Sequence, residues 1–320
     1  MTSFGFVGFG ELGFEVARGL AEASGQDGAV SAYVRPRETQ SAEQAIAAKF
    51  LAAGPVKRCQ SVAELVVGTD VVVAAVPCGA AREVAIECLP FFGHGSIYVD
   101  PSPLGPTEKA QLSALLAARG VAYVDAAVMG AIPTEGYGVP ILACGPGAAP
   151  LSALVSRLGM HVTVIDGTAG RATLVKLLRS VYMKGRDALV LEMLLAARRY
   201  GVDELVIDSI QGAGERVSFR DLANRVMCAL AIHAGRRADE LATSAQIMRE
   251  GSISPILTQA GWERLHGLAQ VGLREHFASE RPKDSRVVLE AIDSLAPDGF
   301  PRQTAQPEPE MEPVMAALVG

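Results

Sequence analysis

The sequence predicts an α/β fold, a doubly wound parallel sheet, followed by an all-α domain. Short apolar segments alternate with helical patterns from residue 3 to about residue 166, as in sheets whose parallel strands are joined by helices. After the turn at 167–170 strand patterns almost disappear, and a helical pattern without proline covers 171–199. With 320 residues, 49% of them hydrophobic and 20% charged, the chain is long and apolar enough for about two folded domains.

Seven segments are predicted as strands because they are short, apolar and bounded by turn residues. They are residues 4–8, 30–34, 71–76, 96–99, 122–125, 139–144 and 161–165. Helical composition lies between several of them, at 61–67, 79–89 and 107–119. Ser61 and Glu64 have the spacing of a capping box, which places the start of one of these helices.

The first predicted strand runs into a glycine triplet with the spacing GxGxxG, formed by Gly8, Gly10 and Gly13. The first glycine permits a tight turn, the second lets phosphates approach the backbone, and the third lets the following helix pack on the strand. Such a turn seats the pyrophosphate of a dinucleotide on a helix N-terminus. The predicted cofactor-binding residues of this turn are Gly8, Phe9, Gly10, Glu11, Leu12 and Gly13. A glycine turn without a ligand is the alternative interpretation.

The end of the second predicted strand indicates which dinucleotide binds. Enzymes that prefer NAD usually carry an acidic residue there, which accepts hydrogen bonds from the ribose hydroxyl. This chain has Arg35 and Arg37 instead, whose guanidinium groups fit a 2′-phosphate. NADP is therefore predicted over NAD, with two solvated loop arginines as the alternative. Val76 and Pro77, at the end of another predicted strand, are further predicted cofactor contacts.

Charge, hydropathy and cysteine usage exclude several classes of partner. The net charge of −6, without a block of basic residues, argues against nucleic acid and anionic membranes as partners. The longest apolar stretch, 71–81, is broken by Pro77 and is shorter than the roughly 20 residues of a membrane helix. No signal peptide pattern precedes the first strand, so we expect a cytoplasmic protein. The five cysteines lack paired spacing, so neither disulfides nor a metal site are expected.

Three later segments are expected to converge on one cleft, because ligands of open α/β sheets bind outside the carboxyl ends of the strands. Residues 100–103 follow one predicted strand, residues 125–131 follow the next, and Lys176 lies near the start of the long helix. Lysine can serve as the general acid in carbonyl reduction if burial lowers its pKa from about 10.4. Lys176 shares a helix face with Ser180, Lys184 and Asp187. The alternative is a lysine that only snorkels at a domain boundary.

Four segments carry a family resemblance by their order and spacing. They are GFVGFGELG, DPSP, DAAVMGA and GTAGRATLVK. On them the chain is identified as a member of the β-hydroxyacid dehydrogenase family, which includes 3-hydroxyisobutyrate and 6-phosphogluconate dehydrogenases. The stretch LLRSVYMKGRDALVLE resembles a poorly characterised phosphogluconate-dehydrogenase-like branch with its own type of C-terminal domain. The resemblance implies NAD(P)-dependent hydride transfer, a Rossmann domain before an all-α domain, and a homodimer formed through the α domain.

The resemblance also implies roles for individual residues. Lys176 matches the catalytic lysine of the family. Ser102 matches a serine that holds substrate or nicotinamide, and Gly130 matches the first glycine of the substrate loop.

Four positions depart from the family pattern. Met129 replaces a serine, Ala131 a glycine, Pro103 a threonine and Ser180 an asparagine. The replaced groups ordinarily hold the carboxylate and hydroxyl of the substrate, so a different and less anionic substrate is predicted. Met129, Gly130, Ala131 and Ser180 remain candidate substrate contacts.

Two residues of the all-α domain are further candidate substrate contacts. Arg237 lies in a segment that loosely resembles the place where the family positions a cationic residue. His233 could hydrogen-bond the substrate, although a histidine on a helix face is more often structural. Arg236 and Arg237 could instead pair with Asp239 or Glu240 on the surface.

These features predict an NADP-dependent oxidoreductase that acts on a carbonyl or alcohol of a β-hydroxyacid-like small molecule. Residues 1–166 are predicted to form the NADP-binding Rossmann domain, 167–297 the all-α substrate and dimerisation domain, and 298–320 a flexible tail. Two alternatives stay open. The first is an imine reductase on the same fold, and the second is an NADP-binding sensor without catalysis.

Overall fold

The computed structural model describes residues 2–25, 29–36, 39–211 and 218–300. Contacts between Cα atoms divide the chain into two compact units, Met1–Tyr182 and Met183–Gly320, each described by itself. The division falls within a helix that begins at Arg171. Arg37 and the part of the expected tail from residue 301 onward lie outside the described residues.

The first unit contains an eight-stranded sheet with the order β3-β2-β1-β4-β5-β6-β7-β8. The strands are β1 (Phe4–Val7), β2 (Val30–Tyr33), β3 (Val56–Cys59), β4 (Val71–Ala74), β5 (Ile97–Asp100), β6 (Ala122–Val128), β7 (Ile141–Cys144) and β8 (Val162–Val164). All seven predicted strands are present, with boundaries shifted by a few residues. The predicted α/β fold is confirmed.

Helices of the first unit connect these strands. They are α1 (Glu11–Ser24), α2 (Gln40–Ala52), α3 (Val62–Val66), α4 (Cys78–Cys88), α5 (Pro106–Ala117), α6 (Ile132–Glu135) and α7 (Ala148–Val155). Ser61 caps α3, since its hydroxyl accepts the Glu64 N–H at 3.1 Å. The Glu64 carboxylate accepts the N–H of Gln60 rather than that of Ser61, so the capping box is only half formed.

The central strand β1 packs on both faces of the sheet, as a doubly wound fold requires. Phe4 and Phe6 join a buried cluster that includes Val16 and Leu20 of α1. Val7 joins a second buried cluster, formed with residues of α3, α4 and α5. The sheet therefore has a hydrophobic core on each face, and the ends of its strands are not needed to form these cores.

Three features of the sheet differ from the sequence prediction. First, β7 runs antiparallel to β6, while the other neighbouring strands pair in parallel. The connection 129–140 contains only the short α6 and one 3₁₀ turn instead of a crossover helix, and such a short connection suits an antiparallel pair. Second, β3 was not predicted, because Lys57 and Arg58 interrupt its apolar pattern. Third, residues 125–128 do not follow a strand, since β6 extends through Val128.

The described part of the second unit is helical. The helix α8 (Arg171–Arg199) has the bounds of the predicted pattern. After it come α9 (Asp203–Gln211), α10 (Phe219–Glu250), α11 (Ile256–Ala269), α12 (Leu273–His276) and α13 (Ser285–Leu295). A buried cluster that includes Ile232, Leu268 and Val288 joins α10, α11 and α13.

Candidate active site

The glycine-rich turn joins β1 to α1 at the carboxyl edge of the sheet. Gly8 has a φ of +92°, which L side chains rarely adopt, and a Cβ there would collide with the carbonyl of Ala75. A Cβ on Gly13 would collide with the carbonyl oxygen of Gly8, whereas one on Gly10 would meet no protein atom within 4 Å. The three glycines thus provide a tight turn at Gly8, an open position at Gly10 and a close helix–strand contact at Gly13.

The helix α2 supports this turn from the side. The Phe9 ring stacks on Phe50, with ring centroids 4.4 Å apart. The Lys49 ammonium donates a hydrogen bond to the Phe9 carbonyl oxygen at 3.1 Å. The helix α2 thus fixes Phe9 at both its ring and its backbone.

Arg35 lies just beyond β2 and is exposed, but its guanidinium is not free. It donates to Glu83 at 2.7 Å and to Glu87 at 3.0 Å, both on α4. These hydrogen bonds and the carboxylate charges raise the pKa of Arg35 above its ordinary value. The predicted cofactor contacts Val76 and Pro77 lie between β4 and α4, where Pro77 is the N-cap residue of the helix.

At the end of β5, Asp100 organises the turn that carries Ser102. The Asp100 carboxylate accepts the Ser102 N–H at 2.8 Å and the Tyr123 hydroxyl at 2.6 Å. The Ser102 hydroxyl is buried and has no hydrogen-bond partner among the described residues. An unpaired buried hydroxyl is costly, so Ser102 is suited to bind a ligand.

A buried lysine on α5 lies behind this turn. Lys109 is fully buried, and its ammonium donates to Asp125 at 2.9 Å and to the Asp100 carbonyl oxygen at 2.8 Å. The Asp100 carboxylate lies 3.7 Å from the same ammonium. The end of β5 and the middle of β6 are thereby tied to one charge.

Asp125 connects this charge to the start of α8. Its carboxylate accepts the N–H of Gly170 at 2.9 Å, the N–H of Thr173 at 3.0 Å and the Thr173 hydroxyl at 2.6 Å. Burial alone would raise the pKa of Asp125, but the Lys109 ammonium and these hydrogen bonds outweigh it, so the pKa is lowered. Asp125 is therefore held as a carboxylate that orders the first turn of α8.

Lys176 lies one turn further along α8 and is partly buried. Burial lowers its pKa, and the charges of Lys109 and Arg179 lower it further, whereas the Asp125 carboxylate acts in the opposite direction. A lowered pKa is the direction that proton exchange near neutral pH needs in a lysine.

The predicted substrate loop follows β6. The Met129 N–H donates to the Pro140 carbonyl at 2.8 Å, and the Met129 side chain packs near Cys144 and Ala172. The Ala131 N–H donates to the Glu135 carboxylate at 2.8 Å. A Cβ on Gly130 would collide with Glu135. The backbone of the loop is thus hydrogen-bonded to the carboxylate of Glu135, a residue of the same loop.

The rest of the predicted polar face on α8 is described only in part. Ser180, one turn beyond Lys176, is partly buried. The side chains of Lys184 and Asp187 lie outside the described residues.

The candidates of the all-α domain lie in the second unit. His233 is exposed and Arg237 partly exposed, both on α10. His233 lines a cavity of about 300 Å³ with Arg236 and Arg274. Arg236 pairs with Glu240 at 2.6 Å.

Comparison with known proteins identifies the family. A family model described as the NAD binding domain of 6-phosphogluconate dehydrogenase matches residues 3–170, more than half of the chain. The chain belongs to the β-hydroxyacid dehydrogenase family. A second model, a domain of unknown function named DUF1932, matches residues 197–268. The protein is accordingly an NAD(P)-dependent oxidoreductase.

Similar proteins cover most of the chain. An uncharacterised 28.5 kDa protein of Methanothermus fervidus is 28% identical over 254 residues, covering 79% of this chain and 93% of that protein. A solved protein of unknown function, reported as structurally similar to 3-hydroxyacid dehydrogenases, is 26% identical, with a TM-score of 0.53 and coverages of 84% and 98%. A reductive aminase from Aspergillus terreus, solved with NADPH4, cyclohexanone and allyl amine, shares the fold at 16% identity, with a TM-score of 0.67 and coverages of 91% and 99%.

No group of three or more His, Cys, Asp or Glu side chains within the described ranges of the chain could hold a metal ion. Within the same ranges, no helix combines the length and apolar character needed to cross a membrane. All five cysteines are free thiols.

Sequence analysis missed four residues that build the site: Lys49, Lys109, Tyr123 and Glu135. One signal for Lys109 was present, because Lys109, Leu112 and Leu116 occupy the buried face of α5 at helical spacing. A lysine on such a face requires a buried partner. Lys49 and Tyr123 act through contacts with segments that are distant in sequence. Glu135 acts through a hydrogen bond from the backbone of its own loop.

Proposed function

We propose that this chain is an NADP-dependent oxidoreductase that acts on a carbonyl or alcohol group of a β-hydroxyacid-like small molecule, with Lys176 as general acid and base. The observation that carries the proposal is the setting of Lys176. It lies one helical turn beyond a turn fixed by the buried Asp125, and burial and the Lys109 charge lower its pKa.

The residues of the first unit fit a nicotinamide dinucleotide. Gly10 leaves open space at the start of α1, where a Cβ would meet no protein atom, and the helix N-terminus there favours a pyrophosphate. The unpaired Ser102 hydroxyl supplies a buried polar group just beyond the end of β5, which lies two strands from β1 in the sheet. When bound, the nicotinamide supplies or accepts the hydride. The protein supplies the proton: Lys176 Nζ donates it to the carbonyl oxygen during reduction and accepts it from the hydroxyl during oxidation.

NADP is proposed over NAD because of Arg35. Its guanidinium is exposed beyond the end of β2, where a 2′-phosphate would be recognised. In this structure the Arg35 guanidinium donates hydrogen bonds to Glu83 and Glu87, so a 2′-phosphate has to compete with two carboxylates for it. Arg37 is the second proposed contact.

A less anionic substrate is proposed because of the loop after β6. The Ala131 N–H, which could bind an anion, donates instead to Glu135. Met129 adds an apolar side chain, and Glu135 adds a negative charge. A substrate carboxylate there would find the Ala131 N–H already hydrogen-bonded and would be repelled by the Glu135 carboxylate, both of which disfavour its binding.

A homodimer formed through the helical part is proposed because α8 and α9 expose large apolar side chains. Those in the second unit include Leu189, Leu191, Leu195 and Leu205. Large apolar side chains left exposed to water favour association with another protein surface. Analytical ultracentrifugation of Leu191→Lys/Leu195→Lys should give a monomer. Leu51→Lys, at an exposed leucine of α2, is the matched control.

The central test compares Lys176→Ala with Lys57→Ala, a change at an exposed lysine of β3. NADPH binding is followed by fluorescence, and oxidation is followed by absorbance with hydroxy acids, aldehydes, ketones and cyclic imines. We expect Lys176→Ala to retain NADPH binding and lose about 10²- to 10⁴-fold in turnover, and Lys57→Ala to match the wild type. Undiminished turnover of Lys176→Ala would refute the lysine role. Turnover of imines alone would favour an imine reductase, and binding without turnover a sensor.

A further inference from the structure

The first unit buries three charged side chains in one cluster behind Lys176. Lys109 and Asp125 are fully buried, and Asp100 is 1% exposed. The Lys109 ammonium touches Asp125 at 2.9 Å and the Asp100 carbonyl oxygen at 2.8 Å. Charges removed from water are costly unless each is paired and hydrogen-bonded. Such an arrangement therefore calls for a reason beyond stability.

The reason lies in what Asp125 holds. Two backbone N–H groups and one hydroxyl at the start of α8 donate to its carboxylate, from Gly170 and Thr173. Thr173 precedes Lys176 by three residues, so the two side chains share a helix face. The position of Lys176 is therefore set by a carboxylate on β6, which is in turn anchored by a lysine on α5.

We propose that Lys109 and Asp125 are positioning residues for Lys176: their buried ion pair fixes the first turn of α8 and sets the charge that the Lys176 ammonium meets. This inference rests on the proposed function, in which Lys176 exchanges the proton. Lys109 and Asp125 touch no reacting atom and act through Lys176.

Three charged groups of the first unit act on Lys176. Lys109 comes from α5, Asp125 from β6 and Arg179 from α8 itself. Lys109 repels the Lys176 ammonium, whereas Asp125 attracts it. The two members of the pair therefore have opposite effects on the proton affinity of Lys176. If the pair served only to hold the fold together, removing either member would loosen the site. Water would then reach Lys176 and raise its pKa in both cases.

The test measures the pKa of Lys176 directly, in the full chain and without a substrate. Acetic anhydride acetylates only the neutral amine, and mass spectrometry of the peptide containing Lys176 gives its reaction rate across pH. Asp125→Asn should lower the pKa of Lys176 by about one unit, a roughly tenfold faster acetylation below the pKa. Adding Lys109→Met in the Asp125→Asn background should raise it again by a similar amount.

The order of substitution keeps the variants folded. Asparagine retains an acceptor oxygen for the first turn of α8, and Lys109 keeps its contacts with Asp100. Lys109→Met is introduced only where it leaves no uncompensated Asp125 charge. Circular dichroism checks that each variant is folded.

Thr173→Val is the matched control, because it removes one hydrogen bond to Asp125 and no charge. We expect faster amide hydrogen exchange in the first turn of α8 with an unchanged pKa of Lys176. Upward shifts in both Asp125→Asn and the double variant, or no shift in Asp125→Asn, would overturn the inference. Lack of turnover on every substrate would count against the proposed function alone, since the acetylation rates need no turnover.

Discussion

The carbonyl oxygen of Gly8 lies so close to Gly13 that a Cβ on Gly13 would collide with it. The first turn of α1 therefore packs directly on the end of β1, and only glycine permits that approach. Gly10, between them in the turn, has no protein atom within 4 Å of its Cβ position. The same motif thus contains one glycine needed by the fold and one that leaves room for a ligand.

This difference predicts opposite outcomes for two alanine substitutions. Gly13→Ala should lower the free energy of unfolding by about 1–3 kcal/mol, because α1 must move away from β1. Gly10→Ala should change stability by less than about 0.5 kcal/mol while weakening NADPH binding, since its methyl group enters the ligand space. Thermal unfolding and NADPH fluorescence titration measure the two effects. Tight NADPH binding by Gly10→Ala would contradict the placement of the pyrophosphate.

Arg35 provides the test of cofactor choice. Arg35→Ala should raise the Kd of NADPH about tenfold and leave that of NADH unchanged, because a charge-assisted hydrogen bond to the 2′-phosphate is lost. Binding is measured at low salt, where exposed charges are least screened. A lower Michaelis constant of the wild type for NADH than for NADPH would contradict the NADP assignment.

Glu83→Gln/Glu87→Gln is the converse variant. Both carboxylates hold the Arg35 guanidinium in this structure, so their neutralisation should release it and tighten NADPH binding several-fold. The Kd of NADH should not respond. An equal gain for both cofactors would instead indicate a general effect of removing negative charge.

Local patterns were sufficient for several elements. The helix α8 was predicted with its observed bounds because no proline or turn interrupts its 29 residues. The turn between β1 and α1 was predicted because glycine spacing and apolar flanks all lie within a few residues. In both cases the information is local, and the structure only adds contacts to it.

Features set by distant contacts were not predictable in this way. Strand direction at β7 depends on the path of the connection 129–140, which composition does not specify. The strand β3 carries two basic residues and lies at the edge of the sheet, where Lys57 is exposed and Arg58 is partly buried. Lys109 and Asp125 lie 16 residues apart in sequence, and neither residue type shows by itself that the two pair in the core.

The buried pair also predicts a stability pattern. Lys109→Met should lower stability by about 3–5 kcal/mol, because it leaves the Asp125 carboxylate buried without its ammonium. Lys109→Met/Asp125→Asn should recover part of this loss, since the Asp125 charge is gone as well and only the Asp100 carboxylate remains without the ammonium. Thermal unfolding followed by circular dichroism measures both. Equal losses in the two variants would mean that packing of the Lys109 side chain, rather than charge pairing, stabilises this region.

In the second unit, Glu192 of α8 caps the start of α11. Its carboxylate accepts the Leu257 N–H at 2.8 Å, the Thr258 N–H at 2.9 Å and the Thr258 hydroxyl at 2.7 Å. Pro255, the N-cap residue of α11, provides no side-chain hydrogen bond. Burial alone would raise the pKa of Glu192, but these hydrogen bonds outweigh it and the pKa is lowered.

The pH dependence follows from that direction. A carboxyl group with a lowered folded-state pKa stabilises the fold fully above its unfolded value of about 4.3, and the contribution is lost as pH falls through the folded value. Glu192→Gln should therefore cost about 1–3 kcal/mol at neutral pH, and the difference from wild type should shrink in acid. Glu263→Gln, at an exposed position of α11, is the control and should unfold like wild type at each pH. Thermal unfolding from neutral pH to below about 4 measures the difference, and a constant gap across that range would show that Glu192 acts by packing and not as a charged cap.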